Sequence, residues 1–173
     1  MQKKQLLLHI CCAPCATHAV EEMKEFYDVT GFFSNSNIAP EQEYHRRLAE
    51  AQRVAAACDI PLVEDDYDHA SWLEAIRGLE LEPEKGKRCA VCFHYNLSRA
   101  AAYAQEHAFN RFTTTLTISP HKRSQTIFEI GRELGPFLEA DFKKRNGFKK
   151  SIEKSTAMGL YRQDYCGCEF SRR

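Results

Sequence analysis

Several features are missing from this 173-residue chain, and each absence closes off a class of protein. No run approaches the roughly 20 apolar residues that a membrane helix requires, so no membrane partner is expected. Lys3 and Lys4 are followed by only about six apolar residues, too few for a secretory signal, so a cytoplasmic location is expected. Nothing after the first apolar run reads G-x-G-x-x-G or S-G-G, so the glycine-rich phosphate loop of nucleotide-binding enzymes is absent. Net charge is absent too, with 24 Lys+Arg against 24 Asp+Glu. Cysteine, by contrast, is plentiful at eight, though below the share of a small disulfide scaffold. A single domain of this length buries about 70% of its unfolded surface and needs no staples. In a cytoplasmic protein, clustered thiols then point to metal or redox chemistry.

The chain is organised around Leu6-Leu7-Leu8-His9-Ile10-Cys11-Cys12-Ala13-Pro14-Cys15. The apolar run ending at a breaker predicts a short buried strand, and Pro14 predicts the first turn of a helix over residues 14–25. Adjacent cysteines cannot both fill one face, because successive strand side chains point opposite ways. Thiols at a strand-to-helix turn sit where open α/β sheets bind ligands, beside helix amides that favour thiolate.

The rest of the chain alternates. Strands are expected over residues 28–35, 61–65, 111–120 and 136–142, and helices over residues 41–58, from 71, 89–107, 124–134 and 151–158. The acidic stretch Glu64-Asp65-Asp66 with Asp68 offers a cation site or merely a hydrated loop. Charge is unevenly spread: residues 1–110 hold 11 Lys+Arg and 17 Asp+Glu, whereas residues 111–173 hold 13 and 7. The basic segment 143–173, with Lys143, Lys144, Arg145, Lys149, Lys150, Lys154, Arg162, Arg172 and Arg173, suits a polyanion such as RNA. Ser119, His121 and Lys122, at the end of the fourth apolar stretch, offer further donors to phosphate or substrate. Phe142, Phe148, Tyr161 and Tyr165 offer rings for stacking on an unpaired base.

Seven cysteines fall into three groups: Cys11, Cys12 and Cys15; Cys89 and Cys92; Cys166 and Cys168, with Cys58 apart in a helical alanine run. A structural zinc site uses four ligands in paired spacing, to which the Cys11-Cys12 adjacency is poorly suited. A thiol-disulfide exchanger uses two thiols and leaves five idle. An iron-sulfur site with a separate redox pair uses six. Gly167 between Cys166 and Cys168 lets the backbone turn tightly enough for the two sulfurs to bond each other, though both are also open to metal.

The ordered set His9-Ile10-Cys11-Cys12-Ala13-Pro14-Cys15, Arg88-Cys89-Ala90-Val91-Cys92, Thr114-Thr115-Leu116-Thr117-Ile118-Ser119-Pro120-His121-Lys122, Asp141-Phe142-Lys143-Lys144 and Tyr161-Arg162-Gln163-Asp164-Tyr165-Cys166-Gly167-Cys168 resembles the cobalamin-independent epoxyqueuosine reductase family QueH. The resemblance implies an α/β fold, a Rossmann-like parallel sheet with helices on both faces, similar to the adenine-nucleotide α-hydrolase (HUP) group. It implies reduction of epoxyqueuosine to queuosine in the anticodon loop of tRNAs for Asp, Asn, His and Tyr, with an external electron donor. By motif, Cys11, Cys12, Cys89 and Cys92 would hold a 4Fe-4S cluster, Cys166 and Cys168 would form a redox-active disulfide pair, and Cys15 would either bind a second metal, an adjacent mononuclear iron, or merely lie near the site. Lys143, Lys144, Tyr161 and Arg162 join Ser119, His121 and Lys122 as expected substrate contacts, and His9, His121, Tyr161 and Asp164 as proton sources. The alternative from another class is a non-catalytic RNA-binding module with a structural zinc site.

Overall fold

Alternation of apolar strands with amphipathic helices requires both faces of a sheet to be covered, and the computed structural model, which describes residues 2–172, shows that arrangement. Four strands, β1 (Lys4–His9), β2 (Tyr27–Phe33), β3 (Leu62–Glu64) and β4 (Arg111–Thr114), form one all-parallel sheet in the order β3-β2-β1-β4. Successive leucines of β1 serve opposite layers. Leu6 and Leu8 pack with Ala16, Val20, Leu48 and Val54, whereas Leu7 packs with Leu97, Phe112 and Ile127. The first layer is α1 (Ala13–Lys24), α2 (Glu41–Ala57) and α6 (Gly147–Ala157); the second is α4 (Lys87–Glu106) and α5 (Ser124–Leu134), with the short α3 (His69–Ala75) against α4.

Three sequence expectations need correction. The fourth apolar stretch stays extended only to Thr114 and then tightens into a 3-10 turn over Thr115–Ile118, because the Thr114 hydroxyl accepts the Leu116 N–H and caps the turn. Residues 136–142 are not a strand. Phe137 makes one isolated bridge to Phe112, and the backbone then turns away while Thr113 and Thr117 donate to the carbonyls of Leu138 and Ala140. The final helix also begins earlier than expected, at Gly147. Arg173 lies outside the described residues.

Strand order reverses between β1 and β4, since β1 leads to β2 on one side while β4 enters on the other. The crevice at the carboxyl ends of strands flanking such a point is where parallel α/β sheets bind ligands.

Candidate metal centre

Cys11 and Cys12 leave β1 at that crevice, and Cys15 follows in the first turn of α1. Pro14 starts the helix without needing its missing N–H, and Cys12 occupies the N-cap with no side-chain cap, so the first amides of α1 stay uncapped by side chains. The three Sγ atoms lie within 4.8 Å of one another. Thr115, held by the turn after β4, accepts the Cys11 N–H at 3.0 Å and lies 3.2 Å from its sulfur. Hydrogen bonds from Cys11 and Cys15 hold the Cys12 thiol well below its ordinary range, while Cys11 is pushed up to about 12, chiefly by Cys12. Cys15 is raised as well, by its bonds to Cys11 and Cys12. The trio therefore takes one negative charge readily and resists more, which is how a donor set behaves until a cation completes it.

A second thiol pair comes from the start of α4. Gly86 is its N-cap and provides no side-chain cap; Arg88, only 2% exposed, donates to the carbonyls of Glu80 and Glu82 and folds the preceding loop onto the helix. Cys89 Sγ accepts the Lys85 N–H at 3.2 Å, and Cys92 Sγ lies 3.8 Å from Asn96 Nδ2. Burial raises both thiols.

The third group is divided. Cys166 is exposed, whereas Cys168 is buried beside Trp72 and Ile76, and both are free thiols. The disulfide expected between them is thus not formed. Arg47, 2% exposed, holds this segment in place: Nη1 and Nη2 donate to the carbonyls of Cys166 (2.8 Å) and Tyr165 (3.2 Å), while Nε pairs with Glu43. A Cβ at position 167 would come within 2.9 Å of Asn37 Nδ2, so the approach to the Asn37 loop needs glycine.

A cavity of about 520 Å³ opens over these thiols, lined by Cys11, Cys12, Cys15, Cys92 and Cys166, and Cys89 lines an adjoining recess that shares Cys166 and Lys122. Five of the seven grouped cysteines therefore line the cavity and Cys89 the recess beside it; Cys168 lines neither, and nor does Cys58, at the end of α2. Ser119, His121, Lys122, Arg162 and Asp164 line it as well. Burial opposes charge on Lys122, yet the Coulombic pull of the neighbouring cysteines, Cys166 first, outweighs it and holds the ammonium above its usual range.

Other expected residues stand elsewhere. Lys143 bonds to the Ser124 hydroxyl and pairs with Asp141, and neither it nor Lys144 lines the cavity. Tyr161 donates to Glu43 at 3.0 Å under the Arg46 guanidinium, which turns it away from the thiols. Phe148 and Tyr165 line the cavity, but Phe142 is core at 1% exposed. His9 is fully buried with both ring nitrogens engaged, by Thr114 and by the Ser34 carbonyl, so it is no proton source. The acidic stretch is structural: Asp65 binds Arg99 and Ser34, and Asp68 caps α3. Asn35, Asn37 and Lys85, which no sequence signal singled out, line the cavity as well, with Gln163 from the motif that ends in Cys168.

A family model described as epoxyqueuosine reductase QueH matches residues 6–173. Similar curated proteins, each named Epoxyqueuosine reductase QueH, come from Streptococcus pyogenes (41% identical, covering 99% of this chain and 71% of that one), Acinetobacter baylyi (38%, 98% and 81%) and Thermotoga maritima (31%, 96% and 89%). With a match running through all three cysteine groups and the elements that bring them to one cavity, the chain belongs to the QueH family of epoxyqueuosine reductases.

Proposed function

We propose that this chain reduces the epoxide of epoxyqueuosine, in the anticodon loop of tRNAs for Asp, Asn, His and Tyr, to the cyclopentene of queuosine. The observation that carries this reading is the convergence of cysteines from β1, α1, α4 and the C-terminal segment on one open cavity. Loss of the epoxide oxygen as water takes two electrons and two protons. A 4Fe-4S cluster supplies electrons one at a time, and an adjacent iron, where bound, supplies a Lewis acid for the oxygen. Cys11, Cys12, Cys89 and Cys92 are assigned to the cluster. Cys15, within the same 4.8 Å group as Cys11 and Cys12, is assigned to the neighbouring iron.

The remaining residues divide the other tasks. Cys166 and Cys168 supply or relay electrons as a dithiol, which gives up two electrons and two protons on closing to a disulfide and is reduced again by an external donor. His121 and Asp164, both on the cavity wall, are placed to hold and deliver protons. Lys122 keeps a positive charge beside the thiolates, and Ser119 and Arg162 bind substrate oxygens; Lys143, Lys144 and Tyr161 act at most on more distant parts of the tRNA. Phe148 and Tyr165 provide the faces for a splayed base. A structural zinc site would be closed by its four ligands; the open cavity beside these thiols favours a reacting centre.

Anaerobic purification followed by analysis of iron, zinc and acid-labile sulfide tests the reading. The expected result is about four irons and four sulfides per chain in a brown protein, with a fifth iron assigning Cys15. One zinc without sulfide, persisting after anaerobic iron reconstitution, overturns the reductase mechanism in favour of an RNA-binding module.

A further inference from the structure

The two cysteines of the C-terminal pair are presented unequally. Cys166 is exposed and lines both the cavity and the recess beside it, whereas Cys168 is 8% exposed, lines neither, and belongs to the apolar cluster of Trp72, Ile76 and Phe170. The backbone fixes this difference. The Cys168 carbonyl accepts the Ser171 N–H at 3.0 Å and the Ser171 hydroxyl at 2.7 Å, and the Gly167 N–H donates to that hydroxyl oxygen at 3.3 Å. On the other side, the Gly167 carbonyl accepts the Ala39 N–H at 3.0 Å, beside the two bonds from Arg47 to the carbonyls of Tyr165 and Cys166. Neither cysteine can take the other's place without breaking these bonds.

Thiol-disulfide exchange proceeds by attack of a thiolate on one sulfur of the bond while the other sulfur leaves, and access helps decide which is attacked. We propose that Cys166 is the sulfur at which an external dithiol reduces the pair, and that Cys168 is the buried leaving thiol. This rests on the reading of Cys166 and Cys168 as a redox pair. Closure of the pair turns the Cys166 side chain toward Cys168 and leaves Cys166 Sγ on the cavity side of the bond. The donor thiolate bonds to Cys166 Sγ as the bond to Cys168 breaks, and Cys168 leaves and takes up the proton the donor thiol released. The donor's second thiol then gives up its proton and attacks the donor sulfur of the mixed disulfide, and Cys166 leaves and is protonated. Two electrons and two protons pass to the pair, and the donor departs as a disulfide. Lys122 and His121 line the same two spaces as Cys166, so a cation stands where the anionic nucleophile arrives.

The test uses the iron-loaded full-length chain, closed to the disulfide without oxygen by one equivalent of diamide. It is then mixed with a thioredoxin whose second active-site cysteine is serine, so that the mixed disulfide persists, and quenched with acid. Peptide mapping by mass spectrometry is expected to find thioredoxin on Cys166 about tenfold or more over Cys168. In the reduced chain, iodoacetamide is expected to label Cys166 about tenfold or more faster than Cys168, a comparison that needs no variant of this protein. Adducts on Cys168, equal labelling of the two thiols, or no adduct between thioredoxin and the closed pair overturns the inference while leaving the pair redox-active. A chain in which diamide closes no bond between Cys166 and Cys168 removes the redox-pair reading and the inference with it.

Discussion

His9 stands two residues from Cys11 and never meets the cavity. Its Nε2–H donates to the Ser34 carbonyl at 2.9 Å and its Nδ1 accepts from the Thr114 hydroxyl at 2.8 Å, so the neutral ring ties the ends of β1, β2 and β4 together. Burial lowers its pKa from 6.5 to about 4. A histidine depressed in this way gives its full stabilisation above about pH 6.5 and loses it as pH falls through 4. The shift corresponds to about 3 kcal/mol. Urea unfolding at pH 7 and pH 4 is therefore expected to show the wild type losing about that much more stability than His9→Gln; parallel losses would show that His9 does not titrate against the fold.

At the scale of elements, the placement of α6 sets how closely the cysteine-bearing helix α1 can be covered. Gly147 opens α6 where a Cβ would lie 1.7 Å from the Phe142 carbonyl oxygen and 2.9 Å from His18 Cδ2, so backbone and an α1 side chain meet there with no room for even a methyl. Gly131 in α5 is also close-packed, but its Cβ would meet the Phe137 ring at 2.4 Å, a side chain able to shift. Gly147→Ala is expected to cost about 3 kcal/mol or more and Gly131→Ala less, at the lower end of overpacking effects. The urea midpoint of each variant, at unchanged denaturant slope, checks the order. Helix starts were legible in the sequence from Pro14, Glu41 and Ser124. The expected strand over residues 136–142 was not, because its apolar alternation arises from packing onto Phe112 and Gly131 without a neighbouring strand to pair along its length.

Over the whole molecule, the excess of acid in the first part of the chain and of base in the last is partly cancelled by folding. Arg145 pairs with Glu22 at 2.8 Å, and Lys154 pairs with Glu21, so α1 neutralises part of the basic segment expected to face RNA. The cations left around the cavity mouth, Lys85, His121 when protonated, Lys122 and Arg162, surround the site instead. Affinity for substrate tRNA is expected to fall steeply with salt. Arg162→Ala should reduce the slope of log K against log salt by about one, whereas Lys154→Ala should leave it nearly unchanged. A filter-binding titration across salt concentrations separates the two; equal loss for both variants would return the RNA to the outer face of α6.

The α/β alternation, the position of the first thiols at a strand-to-helix turn and the grouping of seven cysteines follow from local order along the chain, because apolar periodicity, proline and local spacing act over a few residues. Which of those groups share a cavity depends on contacts between residues far apart in the chain. The reversal of strand order between β1 and β4 brings Thr115 to Cys11, the start of α4 supplies Cys89 and Cys92, and the buried Arg47, which carries no local signal, holds the carbonyls of Tyr165 and Cys166. The same packing withdrew His9, Tyr161 and Phe142 from the expected site. Each has a partner remote in sequence whose hydrogen bonding or apolar contact outcompetes exposure to the cavity, and no pattern confined to neighbouring residues records such a partner.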